Sequence, residues 1–215
     1  MNEQRGKFIV LESGEGGGKG TVRRFLEEQY KDQDNIVFTR EPGGTPIAEE
    51  IRSLILNPNH KGMAPLTEFL LFYAARAEHI ANFVRPMMKE GRIVICERAD
   101  LSTIAYQIYG RKREDFLAVV EYLSALVWGI PIFDGIIYLD VDPKIGLARI
   151  AKQRGMEIDR IEREGIEFHT RVREGFLKLY NKRTFGTWHK IDASQSIEVV
   201  QREVLRAVEE IINVE

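Results

Sequence analysis

The chain has one cysteine in 215 residues and no excess of either charge, with 31 lysines and arginines against 33 aspartates and glutamates for a net charge of −2. One cysteine closes no internal disulfide. The apolar run around it, Ile93-Val94-Ile95-Cys96, predicts a small packed hydrophobe in a reducing compartment and not a nucleophile. Balanced charge without a basic run argues against a nucleic-acid partner. The longest apolar run, Phe69 to Ala75, is far short of a membrane span, and Met1 to Gly6 lacks the apolar core of a signal peptide. A cytoplasmic protein with no membrane partner is therefore expected. His60, His169 and His189 show no metal-ligand spacing and read as surface or packing residues, so no zinc site is indicated. No repeat, low-complexity tract or Pro/Gly/Ser-rich linker divides the chain, which predicts one domain over residues 1–215. A chain of this length buries about 70% of its unfolded surface, enough for a substantial core.

What is present is an alternation. Short apolar strands near 7–12, 35–40, 92–97, 135–141 and 187–191 are separated by longer helical patterns, and the last helix is expected over 196–214. That order predicts an α/β fold, a parallel sheet of about five strands with helices on both faces. Ligands of such sheets bind at the carboxyl ends of the strands, and four of the five ends carry charged or glycine-rich clusters.

The first strand runs into Ser13-Gly14-Glu15-Gly16-Gly17-Gly18-Lys19-Gly20-Thr21, and an amphipathic helix pattern follows from Val22 to Tyr30. Backbone amides converge on an anion where side chains are missing, and the lysine adds a charge that reaches terminal phosphates. The strict phosphate-loop pattern places glycine six residues before the lysine and Ser or Thr after it; here those places hold Ser13 and Gly20. A flexible glycine turn is the alternative reading.

At the second strand end, Arg40 offers a planar fork to a phosphate, or a structural salt bridge. Phe69, Phe72, Arg76 and His79 share one side of a helix; an aromatic stripe is ordinary core, but an arginine on that side also suits a base stacked on Phe72 with Arg76 at its polar edge. The third strand ends at Glu97-Arg98-Ala99-Asp100, with Ser102, Tyr106 and Gln107 beyond. Glu97 suits Mg²⁺ through water and Arg98 a phosphoryl group in flight, against the plainer reading of a helix cap and a surface ion pair. Residues 149–163 carry Arg149, Lys152, Arg154, Arg160 and Arg163, either a solvated basic face or a lid that brings arginines onto the transferring group.

Taken together these strings resemble the thymidylate kinases, from about Gly6 to about Tyr180. The string at 39–45, Thr-Arg-Glu-Pro-Gly-Gly-Thr, is the most diagnostic, supported by Leu71 to Arg76, Asp100 to Thr103 with Ala105-Tyr106-Gln107, Leu139 to Pro143, and Asp159 to Glu162. The resemblance implies a P-loop NTPase-type fold with a small lid, transfer of the γ-phosphoryl of ATP to dTMP with Mg²⁺, and a homodimer. It implies that Lys19 meets the donor phosphates within the cradle Glu15, Gly16, Gly17, Gly18, Gly20 and Thr21. Arg40, Arg76 and Arg98 would surround the acceptor phosphate. Phe72 would stack on thymine, with Ser102 and Gln107 near its edge, Tyr106 under the sugar and Glu15 at the 3′-hydroxyl. The loop carries no arginine while Arg149, Arg154 and Arg160 sit in the lid region, which resembles the bacterial type.

Four positions depart from the pattern. Gly20 lacks the hydroxyl that touches Mg²⁺, Glu97 is a methylene longer than aspartate, Ala99 replaces a bulky ring and opens space near the acceptor, and Ser13 strains the loop if positive φ is needed there. A nucleotide-binding protein with reduced or lost turnover, or a kinase for a different deoxynucleoside monophosphate, are the alternatives these departures raise.

Overall fold

A computed structural model describes residues 5–129, 133–154 and 159–214. Five parallel strands, β1 (Phe8–Ser13), β2 (Ile36–Arg40), β3 (Ile93–Glu97), β4 (Gly135–Asp140) and β5 (Trp188–Asp192), form one sheet in the order β2-β3-β1-β4-β5. Each lies within one residue of its expected bounds. Parallel neighbours require crossovers, which are supplied by α1 (Lys19–Gln29), α2 (Pro46–Leu56), α3 (Pro65–His79), α4 (Arg85–Lys89), α5 (Asp100–Thr103), α6 (Leu117–Trp128), α7 (Pro143–Arg154) and α8 (Ile166–Asn181), while α9 (Ile197–Asn213) follows the last strand. Wider π-type turns carry α3 on through Ile80–Val84 and α5 through Ile104–Gly110.

The central strands are apolar at nearly every position because both sheet faces are covered. Phe8, Val10, Val94, Cys96, Ile136 and Tyr138 meet Phe69, Tyr106 and Phe176 on one face; Ile9, Leu11, Ile95, Ile137 and Leu139 meet Val22, Leu26, Val204 and Val208 on the other. Cys96 is fully buried, as its apolar run predicts. On α9 the spacing Val200, Val204, Val208, Ile211 puts one stripe into the second core. Just ahead of β1, Lys7 reaches across to that helix, where its Nζ donates to the carbonyls of Ile211, Ile212 and Val214, a cation at the end of α9 where the helix dipole favours one. Among the described residues no helix is long and apolar enough to cross a membrane.

Register aligns the strand tips: Arg40 of β2 stands beside Glu97 of β3, and Glu97 beside Leu11 of β1. The loops leaving these tips therefore open onto one edge of the sheet.

Candidate active site

Along that edge lies a cleft of about 650 Å³. Its floor is the segment from Glu15 to Thr21, which turns from β1 into α1. Gly18 precedes the helix with φ 87°, and Gly16 takes φ 67° with its Cα so close to the Gly146 carbonyl that a Cβ would stand 2.0 Å from the oxygen. Only glycine fits there. No acidic side chain occupies the first turn of α1, so its free amide end faces the cleft with the charge preference for an anion.

Lys19 is almost fully buried under this loop. Burial and the neighbouring Arg98 charge bring its Nζ down to about 8, against the pull of Glu15, Glu97 and Glu12. Burial would push Glu15 up, but Arg98, Lys19 and the Tyr106 hydroxyl outweigh it and hold the carboxyl at about 2. The geometry explains why: Arg98 Nη2 donates to Glu15 Oε1 at 2.7 Å, and Tyr106 donates to the same oxygen at 2.8 Å. Arg98 Nη1 donates to Ser102 Oγ at 3.2 Å, and its guanidinium lies 4.9 Å from the Tyr106 ring centroid. Arg98 also holds φ 67°, a left-handed conformation costly for a residue with a Cβ, and its amide is fixed to the Leu11 carbonyl.

Phe72, Arg98, Ser102, Tyr106 and Gln107 form one wall of the cleft, and Arg149, Ala193 and Gln195 close its far end, where Arg149 Nη1 donates to the Ala193 carbonyl at 2.8 Å. Glu97 reaches the cleft beside Lys19 and Thr21, with Arg23 3.5 Å from its carboxylate. The structure thus brings together Glu15, Gly16, Gly17, Gly18, Lys19, Gly20, Thr21, Phe72, Glu97, Arg98, Ser102, Tyr106, Gln107 and Arg149.

Three arginines expected at phosphates lie elsewhere. Arg40 is half exposed and pairs with both oxygens of Glu49 at 3.0 Å, bracing the turn in which Glu49 also accepts from the Gly44 amide. Arg160 is buried: its Nε donates to the Ile55 carbonyl and its Nη1 lies 2.5 Å from Glu68, a carboxylate shared with Arg111 and Gln107. Arg76 is 2% exposed, its Nε donating to Glu41 at 2.7 Å beside Asp100 and its Nη2 to Thr103, while Nη1 has no partner. Burial alone would weaken its charge; Asp100 and Glu41 keep it cationic. Each arginine sits where a carboxylate already neutralises it, which its residue type alone does not disclose. The side chain of Arg154 and residues 155–158 of the expected lid lie outside the described residues.

Two of the four departures also read differently here. Ala99 is fully buried in the core against the sheet and forms no part of the cleft lining, so it opens no acceptor space. Ser13 ends β1 without positive φ, so it does not strain the loop.

Two contributors were not picked out from the sequence. Glu12, buried at the end of β1, accepts hydrogen bonds from the amides of Ala99 and Ser102 and from Ser102 Oγ, and so fixes the loop carrying Arg98. Burial pushes its carboxyl up to about 6, even though Ser102, Arg98 and the Ala99 amide pull the other way. Arg52 of α2 lines the cleft, its Nη1 on the Pro42 carbonyl at 2.8 Å; burial and the charges of Arg40 and Arg98 lower its pKa. Its spacing on α2 was the available signal, since it falls on the face toward the 42–45 turn.

A parallel sheet in this order, with a glycine loop entering a buried lysine and a helix beneath a cleft rimmed by cations, defines a P-loop NTPase-type phosphotransferase. The family model described as thymidylate kinase matches residues 11–204, and the chain belongs to that family. It is 43% identical over 208 residues to a thymidylate kinase of Symbiobacterium thermophilum, covering 95% of this chain and 94% of the relative, and 41% identical over 204 residues to one of Clostridium novyi, covering 93% and 97%. The crystal structure of thymidylate kinase from Ehrlichia chaffeensis superposes with a TM-score of 0.73 at 32% identity, covering 95% of this chain and 99% of that one.

Proposed function

We infer that the chain phosphorylates dTMP to dTDP at the expense of ATP. The observation that carries this reading is a single cleft with two unlike halves: an amide-rich floor around Lys19 for a polyphosphate, and a wall of Phe72, Arg98, Ser102, Tyr106 and Gln107 for a flat base, a sugar and a small anion. Catalysis is alignment and charge neutralisation. The acceptor phosphate is itself the nucleophile and is anionic near neutral pH, so the protein supplies no general base. Lys19 and the loop amides hold the donor's terminal phosphates; Arg98, joined by Arg52, faces the oxygens that gain charge during transfer. Phe72 stacks on thymine, with Ser102 and Gln107 of the same wall near its polar edge. Glu15, fixed by Arg98 and Tyr106, is placed for the 3′-hydroxyl, with the Tyr106 ring filling the space a ribose 2′-hydroxyl would need.

Mg²⁺ fits this cleft through oxygen donors: the Glu97 carboxylate would hold it through water, with Thr21 on the phosphates. When bound, it neutralises charge on the donor phosphates. Arg149 carries over as a donor-nucleotide contact, and Arg154 carries over from the resemblance as a catalytic arginine of a lid at 149–163. The chain acts as one domain over 1–215 in the cytoplasm. It pairs with a second copy through an apolar stripe of Tyr122 and Leu126 on α6, both about two-thirds exposed, continued by Val119 and by Leu66 and Leu70 of α3. A coupled ADP-release assay with ATP, Mg²⁺ and a panel of deoxynucleoside monophosphates tests the reading. Turnover with the highest kcat/KM for dTMP is expected; tight dTMP binding without ADP release would sink it.

A further inference from the structure

The ammonium group of Lys19 is saturated inside its own loop. Its Nζ donates to Ser13 Oγ at 2.6 Å, to the Ser13 carbonyl at 3.2 Å and to the Gly14 carbonyl at 3.4 Å. A protonated lysine has three donors and no acceptor, so none remains for a phosphate oxygen. Two of the acceptors are main-chain carbonyls that any sequence would provide. The third and shortest is a side chain, at a position where the strict phosphate-loop pattern has glycine.

That side chain is held in place. Ser13 is fully buried, and its hydroxyl passes its own proton to the Gly14 carbonyl at 2.6 Å, which turns its lone pairs toward Nζ. It also fills the space beside Gly17, where a Cβ would stand 2.6 Å from Oγ and 2.7 Å from the Ser13 Cβ. Nothing in the backbone demands glycine at 13, since φ there is not positive. The hydroxyl is therefore an added group whose contacts are all with the lysine and the loop.

We propose that Ser13 is a latch on the phosphate-loop lysine: it holds Lys19 withdrawn in the nucleotide-free protein, and an incoming nucleoside triphosphate must displace the hydroxyl to engage Nζ. The latch rests on the assignment of this loop as the donor-phosphate cradle. It makes Ser13 a positioning residue that lowers affinity for the donor and leaves the acceptor half untouched.

Ser13→Gly and Ser13→Ala in the full chain test it, the alanine variant retaining Cβ should glycine loosen β1. Calorimetric Kd and KM for ATP with Mg²⁺ are expected to fall roughly tenfold in both, the equivalent of one charge-assisted hydrogen bond, with a much smaller change in kcat and in the Kd for dTMP. In a Lys19→Met background the same Ser13 substitutions are expected to change ATP affinity by less than about twofold, because no ammonium is left to hold. ATP affinity that Ser13→Gly or Ser13→Ala leaves unchanged or weakens, while wild type binds ATP normally, overturns the latch alone. An equal gain with and without the lysine also overturns it. Wild type that binds no ATP overturns the donor-cradle assignment and the latch with it.

Discussion

On the side of the cleft proposed for the donor, one unbroken stretch from Glu15 to Thr21 supplies the loop, the lysine and the start of a helix, and its geometry is set by glycines and main-chain amides. The opposite side, proposed for the acceptor, is gathered from α2, α3, the tip of β3 and the turns beyond α5, and its geometry is set by side-chain contacts made on folding: the Arg98–Glu15 ion pair across 83 residues and Arg52 on the Pro42 carbonyl. A contiguous site is written in local sequence. A gathered one depends on which carboxylate each cation meets after folding. Arg40, Arg76, Arg98 and Arg160 are chemically alike, yet of these only Arg98 lines the cleft; the other three are committed to Glu49, to Glu41 with Asp100, and to Glu68.

The sharpest way to break this contrast is Arg76→Ala, which leaves Glu41 and Asp100 buried without their cation. Unfolding in denaturant should show a loss of about 3–5 kcal/mol. Arg98→Ala should instead lower kcat/KM while costing much less stability, and a similar loss of stability in both would erase the distinction. Next in size, Lys19→Ala should lower kcat by about 10²–10³-fold and barely move dTMP affinity, as measured by steady-state kinetics beside dTMP titration. Equal losses in both would place the lysine outside the transition state.

Glu12 gives a pH test of how the two halves are joined. Its native pKa, about 6, lies above the usual 4.5, so the folded state binds the proton more tightly than the unfolded chain. Stability from this group is therefore full below about 4.5 and declines by about 2 kcal/mol as pH rises through about 6. Glu12→Gln should flatten that part of the stability profile; an unchanged slope would exclude the residue as its source. The smallest expected effect is Tyr106→Phe, which removes one hydrogen bond to Glu15 at a cost of about 0.5–1.5 kcal/mol but keeps the ring. Relative kcat/KM for deoxyribo- and ribonucleotide acceptors should therefore stay as in wild type, whereas Tyr106→Ala should narrow that preference.

The sheet was legible because β1, β3 and β4 are short runs rich in apolar and β-branched residues bounded by glycine or charge, and length, flanks and composition together separate such runs from helices, while β5, Trp188-His189-Lys190-Ile191-Asp192, is mixed and reads less clearly. The glycine loop and its lysine were legible because they lie in one contiguous stretch. Phe72 and Gln107 were reached through their strings and do line the cleft, although Phe69, on the same side of α3, is core. Glu12 was hidden because, at the end of an apolar strand, it reads as the first polar residue of the loop; its worth lies in amides 87 and 90 residues away. Arg52 was hidden as an ordinary charge on an amphipathic helix. Ala99 misled for the converse reason: a small residue makes room only where its Cβ faces the ligand, and here it faces the core.

Lys7 fastens the entry to the central strand onto the last turn of α9, so residues more than 200 apart in the chain close on one another. This clasp makes the fold nearly circular in its connectivity. Removing the last turn of α9 would therefore free the ammonium and take Ile211 out of the second core.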